Sequence, residues 1–383
     1  MFHMKRRHFI QLATLTPLAS LIGCTPNEVR RSLSAGQNLA QGDVTKALTS
    51  QLPTTGIPEI DLLVRRKMED LAEDLFKQWG DKRVASPTEY VKYTDEYQSR
   101  AIVNFETGKI RVETIDQSQS KDKLEQAIVT TLLTPEDPSQ VDLLSDQEVK
   151  TNGMPFLHDL VLDHQNQPIR YQWRAQQYAK HLMRTAYQTD RVQNQTRHFV
   201  TFEMVENHQS DSQNKYASYV NTNSAKFKVR KDLIYAIMEA ESSFNPYAIS
   251  HIPAYGLMQI VPSSAGRDAH RLIYGRDGTP TKDYLFVPRN NIQMGVSYLS
   301  ILNDRYLARV TQPKSREYCV IAGYNTGSGN VLRAFDPASR DNAFNRINRM
   351  TPQQVYNHLV ANLPYDETRR YMQKVTQFQR KYV

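Results

Sequence analysis

From Ile60 onward, apolar side chains recur at Val64, Met68, Leu71, Leu75 and Trp79. Steps of three and four place them on one face of a helix, and Gly80 ends the run. Farther on, Ile-Val-Asn-Phe-Glu at 102–106 and Ile-Arg-Val-Glu-Thr-Ile at 110–115 flank Thr107-Gly108-Lys109. Two β-rich runs around a short glycine-bearing link predict a hairpin. Helical patterning returns over 122–133 and 175–185, and 198–205 reads as one more strand. After about residue 206 strand signals fade. Helices are predicted over 232–243, 292–306, 315–323 and 367–382, punctuated by Pro262, Pro288, Pro313, Pro337 and Pro364. The pattern predicts an α+β N-terminal domain over 56–205 followed by a mainly α domain over 206–383. No internal repeat interrupts it.

The 383 residues suffice for two domains with real cores, and 39% hydrophobic with 23% charged residues describes a chain that is globular for most of its length. The formal charge is +8, spread along the chain. There is no dense basic block and no zinc-finger or RNA-binding signature, which argues against nucleic acid and suits an acidic polymer or an anionic membrane surface. Two cysteines, Cys24 and Cys319, exclude a disulfide-dense scaffold and a cysteine-based metal cage. His251 and His270 lack partners at zinc spacing, and Asp277-Gly278 is not within an EF-hand pattern, so neither metal nor cofactor is expected.

Residues 1–24 read as a targeting segment. Lys5, Arg6 and Arg7 precede an apolar stretch from Phe9 to Gly23 that is too short and too polar to span a bilayer. Its end, Leu21-Ile22-Gly23-Cys24, resembles the bacterial lipobox. That resemblance implies cleavage before Cys24 and acylation of its thiol and new amino group, and several chains together hold stably. Arg6-Arg7-His8-Phe9-Ile10 also resembles a twin-arginine export signal. Neither Thr25 nor Pro26 is the acidic residue associated with inner-membrane retention, so the outer membrane, on its periplasmic side, is the expected location. Residues 25–55 are polar and aperiodic and read as a tether with a typical span of roughly 30 Å. Cys319 lies in the apolar run Tyr-Cys-Val-Ile-Ala and reads as an inert core residue.

The chemistry centres on one glutamate. Ile234, Ile237, Met238 and Glu241 share a helix face, so Glu241 continues an apolar stripe, and Asn245-Pro246 stops the helix just beyond. Glu239 is rotated by about 200° and is expected to face outward. A carboxyl on an apolar face loses solvation when ionised, which raises its pKa and suits a general acid. Periodicity alone leaves other readings open, a buried and paired structural glutamate or a helix end shifted enough to expose it.

Glu241-Ser242-Ser243-Phe244-Asn245-Pro246 is followed by Ser250 and by Gly256-Leu257-Met258-Gln259. Then come Pro288, Asn291-Ile292, Gly295 and Tyr298-Leu299, next Ala322-Gly323-Tyr324-Asn325-Thr326-Gly327, and finally Glu367-Thr368-Arg369-Arg370-Tyr371. This order resembles the soluble-type lytic transglycosylase domain, a relative of goose-type lysozyme. One departure is Gly323, inserted between Ala322 and Tyr324. The resemblance implies a lysozyme-like catalytic domain behind a lipid-anchored α+β domain. It also implies cleavage of the β-1,4 bond from N-acetylmuramic acid to N-acetylglucosamine, leaving a 1,6-anhydro ring and adding no water. Glu241 is then acid and later base, and the substrate's acetamido oxygen replaces the second carboxylate of ordinary glycosidases.

By position, Ser250 matches the serine that hydrogen-bonds the acid, and Gln259 and Tyr324 match cleft residues. Asn325 and Glu367 match supporting positions. Ser250 capping a turn and Tyr324 as packing are the plainer alternatives. Ser242 reads as a helix-end residue bonding backbone. Tyr247, Tyr255, Tyr284 and Tyr298 are candidates for lining a sugar cleft. The implied partners are peptidoglycan glycan strands, a membrane reached through Cys24, and cell-wall synthesis or division proteins through the N-terminal domain. Two competing readings are a hydrolytic muramidase and a non-catalytic wall-binding scaffold.

Overall fold

The computed structural model describes residues 73–81, 83–143, 145–250 and 254–382. The expected signal segment, Cys24, the tether and the predicted helix before residue 73 lie outside the described residues, as does His251. Residues 73–79 are helical, and Gly80 closes that helix in a left-handed conformation at φ +72°.

Five strands follow: β1 (Glu89–Thr94), β2 (Ser99–Asn104), β3 (Lys109–Thr114), β4 (Gln188–Val192) and β5 (Gln195–Glu203). They form one antiparallel sheet in the order β1-β2-β3-β5-β4. The predicted hairpin is β2–β3, with Val103 opposite Ile110. The predicted strand near residue 200 is β5, with Val200 opposite Val112. The pattern missed β1 and β4. β1 is buried on both faces, so its sequence does not alternate, and β4 is a short polar edge strand.

Helices α1 (Ser120–Leu132) and α2 (Gln172–Thr185) cover one side of the sheet, burying Leu124 and Ile128 with Val103, Ile110 and Val200. On the other side Trp79, Val91, Tyr93 and Ile102 form a smaller core. Beside it runs a charge ladder. Arg100 donates to Glu113 at 2.7 Å and lies 4.3 Å from the Trp79 ring, Arg111 donates to Glu113 at 2.6 Å, and Arg197 to Asp190 at 2.7 Å. Arg100 and Glu113 are fully buried, so each needs the other.

The rest of the chain is helical: α3 (His208–Phe227), α4 (Lys231–Ser242), α5 (Arg267–Tyr274), α6 (Lys282–Phe286), α7 (Pro288–Ile301), α8 (Pro313–Thr326), α9 (Ser328–Phe335), α10 (Arg340–Asn348), α11 (Pro352–Asn362) and α12 (Asp366–Gln379). Pro288, Pro313 and Pro352 open their helices, where a missing N–H costs nothing. Helix α4 packs against α12 and α3, and α8 packs against α12. The 20-residue α3 escaped the pattern because it buries only Ser212, Tyr216, Val220 and Asn223. The two parts share one hydrophobic core. At the seam the rings of Tyr90 and Phe156 lie 5.0 and 5.3 Å from that of Tyr247, whose hydroxyl donates to the Pro135 carbonyl.

Candidate active site

Glu241 is the penultimate residue of α4. That helix is central: residues 232–239 are all buried. The apolar stripe seen in the sequence is therefore one side of a helix enclosed nearly all round. Ser243 at φ +50° and Phe244 at φ +64° end α4. A carboxylate there meets the negative end of the helix dipole. Glu241 lies among dense protein and keeps only a partial opening to solvent. Desolvation pushes its pKa up from 4.5 to about 8, the Tyr371 hydroxyl pulls it down, the charge of Glu367 pushes it up, and Lys374 lowers it. At neutral pH the group holds its proton.

Two tyrosines face this carboxyl. Tyr324, from α8, donates its hydroxyl to the Met258 carbonyl at 2.8 Å. Its ring lies 5.7 Å from that of Tyr298. Tyr371, from α12, has a buried hydroxyl that closes no hydrogen bond of regular geometry, and it influences the Glu241 carboxyl beside it. Burial and the Glu241 charge hold both phenols well above their usual range, so both remain O–H donors. Tyr371 closes the final motif, and position alone does not mark it as a site residue. The available signal was its place on the buried stripe Thr368, Tyr371, Met372 and Val375, where a tyrosine brings a polar tip into an apolar seam.

The other motif residues build the loop facing Glu241. Asn291, fully buried on α7, accepts from the Met258 N–H at 2.8 Å and donates to the Tyr255 and Leu285 carbonyls at 2.6 and 2.8 Å. Gly256 sits at φ +72°, and a Cβ there would lie 2.5 Å from the Asn291 amide nitrogen. At Gly295 a Cβ would lie 2.4 Å from the Met258 sulfur. These glycines therefore let the loop and α7 close together. Ser242 Oγ lies 3.0 Å from the Met238 carbonyl and 2.8 Å from the Leu257 carbonyl, tying the end of α4 to the same loop, as expected of a helix-end serine.

Gln259 donates to the Ala248 and Gly256 carbonyls at 3.1 and 2.9 Å, so its amide braces the loop. Ser250 is partly exposed at the loop's entry, its N–H bonded to the Ala254 carbonyl. Asn325 accepts from Thr368 at 2.7 Å, joining α8 to α12. Glu367 is exposed and reaches Glu241 through its charge. Four expectations change, for Glu239, Tyr247, Tyr255 and Tyr298. Glu239 does leave the Glu241 side of α4, yet it is buried, held by Lys381 at 2.5 Å and Tyr382 at 2.7 Å. Tyr247 lines no cleft, being fully buried at the seam. Tyr255 is buried against Phe286. Tyr298 is also buried, beside Tyr324, while Tyr284 bonds the exposed Tyr274 at 2.7 Å. Cys319 is buried, its thiol pushed up to about 12.

Residues 57–228 match the family model described as "Membrane-bound lytic murein transglycosylase C, N-terminal domain", and residues 218–347 match "Transglycosylase SLT domain". The chain is 43% identical over 318 residues to the membrane-bound lytic murein transglycosylase C of Yersinia pestis (strain Pestoides F), covering 82% of this chain and 88% of that protein. The protein of the same description from Yersinia pseudotuberculosis (serotype I) gives the same figures, 43% over 82% and 88%. Among solved structures, the 70 kDa soluble lytic transglycosylase of Escherichia coli matches at 25% identity and TM-score 0.34, over 44% of this chain and 24% of that one. A complex of the 70-kDa soluble lytic transglycosylase with bulgecin A matches at 18% identity and TM-score 0.37, over 93% of this chain and 50% of that one.

Proposed function

This chain belongs to the membrane-bound lytic murein transglycosylase C family, and from that premise we propose that Glu241 is the single acid and base with which it cleaves peptidoglycan. The observation that carries the proposal is a carboxyl at the end of a buried helix, with Tyr324 and Tyr371 beside it and desolvation pushing its pKa up to about 8.

Glu241 gives its proton to the glycosidic oxygen as the bond from that oxygen to C1 of the muramyl sugar breaks. The acetamido oxygen of the same sugar shares the positive charge at C1. The environment that held the proton now works in reverse. A desolvated carboxylate at a helix C-terminus is a strong base. It takes the C6 hydroxyl proton as O6 closes on C1, and Glu241 ends as it began. Tyr371 keeps the carboxylate from being too costly to form, since a hydroxyl donor stabilises the charged state. Tyr324 holds the Met258 carbonyl and so fixes the opposite wall. Ser250, Gln259, Asn325 and Glu367 support that wall and rim.

Glu241→Gln keeps the size and removes the proton. It is expected to bind sacculi and release no product, while the parent chain releases 1,6-anhydromuropeptides detectable by mass spectrometry. Undiminished release by the variant, or reducing-end muropeptides from the parent, would overturn the assignment. The second outcome would favour hydrolysis, for which Glu367 is the carboxylate whose charge Glu241 already feels.

We assign catalysis to the 206–383 domain and place the 56–205 domain between it and the anchor. The relatives are named membrane-bound, and no helix among the described residues is long and apolar enough to cross a membrane. An acylated Cys24 in the outer membrane, with the body in the periplasm, accounts for both. Cys24→Ala is expected to move the chain from the membrane fraction to the soluble one.

A further inference from the structure

The two most exposed large hydrophobic side chains among the described residues are Tyr171, at 67%, and Trp173, at 62%. Tyr171 is the extended residue that precedes α2 and Trp173 stands in its first turn, both open to solvent. The chain's other tryptophan, Trp79, is completely buried. Each exposed ring is braced by a cation: Arg170 lies 5.5 Å from the Tyr171 ring and Arg174 lies 5.6 Å from the Trp173 ring. Arg174 is itself fixed, because it donates at 2.5 Å to Asp163, a buried carboxylate. Asp163 also accepts from the Gln165 and Gln167 N–H groups at 2.8 and 2.9 Å, which locks the turn beside the rings. The rings are therefore displayed on a rigid support, which lowers the entropy lost on binding.

The neighbours identify the ligand. A patch made to enter lipid surrounds its aromatics with exposed aliphatic side chains. Here Ile169 is buried, Pro168 is the one exposed apolar residue over 164–180 besides the two rings, and the other exposed neighbours are mostly amides, among them Asn166, Gln167, Gln172 and Gln176, together with the cations Arg170 and Lys180. Flat rings next to amides complement the faces and the hydroxyl and acetamido groups of an amino-sugar chain, and the cations complement carboxylates. We propose that Tyr171 and Trp173 form a second carbohydrate platform that holds a peptidoglycan glycan strand, with Arg170 and Lys180 meeting the carboxylates of its peptide stems. The platform deepens the reading of the function given above and rests on it. It would keep the enzyme on insoluble wall between cuts at Glu241, and it should be dispensable for short soluble glycans.

The test uses the full chain carrying Cys24→Ala, with and without Tyr171→Ala and Trp173→Ala together. Sedimentation with purified sacculi should show affinity falling by about fivefold or more, the loss expected of two stacked rings. Cleavage of short soluble glycan oligomers should stay within about twofold, and Trp173→Phe should restore most of the sacculus binding. Unchanged sacculus affinity in the double variant overturns the platform. So does a loss confined to vesicles of phosphatidylethanolamine and phosphatidylglycerol, which would make the patch a membrane contact. Failure of the parent chain to cleave soluble oligomers would strike the proposed function instead, and the two failures are thereby separate.

Discussion

Glu241 links stability to pH in a determinate direction and, as the proposed acid, activity with it. Its folded pKa of about 8 lies above the ordinary 4.5, so folding favours the protonated form. The stability this confers is complete below about pH 4.5 and is lost as pH rises through about 8. Glu241→Gln should thus unfold at a higher temperature than the parent, with a gap that opens across this window. We expect roughly 2–3 kcal/mol at its upper end, allowing for solvent screening at the cleft. The proposed mechanism needs the same proton, so kcat/KM should fall about tenfold per pH unit beyond the alkaline limb. Tyr371→Phe removes a donor that favours the carboxylate. It should move that limb to higher pH and lower kcat several-fold with KM nearly unchanged, which a pH–rate profile reads directly.

At the scale of elements, the loop over residues 254–260 is held in place by α7. Gly256→Ala combines a positive φ with a Cβ placed 2.5 Å from the Asn291 amide. A loss of about 2–4 kcal/mol and of most activity is expected, seen in denaturant melts and turnover. Helix α4 is clasped from the far side by the C-terminal end of the chain, through Glu239 and through Gln379, which donates to Asp232 at 2.9 Å. Glu239→Gln keeps an acceptor for Tyr382 and releases Lys381, whose side chain is half exposed. Activity should persist with at most about 1 kcal/mol of destabilisation, and a loss as large as that of Glu241→Gln would refute the single-acid assignment.

Over the whole molecule, the N-terminal domain is built into the catalytic one. The segment that follows Glu241 is held from across the seam: Asn245 donates to the Pro87 carbonyl at 3.1 Å, and Tyr247 lies among Tyr90 and Phe156. Near the site, Lys374 lies 3.9 Å from Glu106 in the hairpin turn. Tyr247→Ala should remove about 3–5 kcal/mol and lower activity as well, because the cavity lies just beyond α4, which carries the proposed acid. Scanning calorimetry of the parent should show one cooperative transition for the shared core. Two well-separated transitions would contradict it.

The hairpin of β2 and β3, helices α1, α2, α4, α8 and α12, and the position of Glu241 were legible in the sequence because each carries its own period or motif. β1, β4 and α3 were not, since a strand buried on both faces, a polar edge strand and a mostly polar helix have no local period to display. The motif order pointed to Glu241 and to its neighbour Tyr324 by position. Folding in three dimensions decided the rest: that Tyr371 reaches Glu241 from α12, that Gly256 and Gly295 serve the fit of one loop, and that Glu239 is buried. It also decided that Tyr247 joins two domains and does not line a cleft. Such roles depend on which surfaces meet, and contacts between residues tens to more than a hundred positions apart leave no period in the chain. Desolvation of the acid has the same origin, because the atoms that exclude water from Glu241 come from helices distant in sequence.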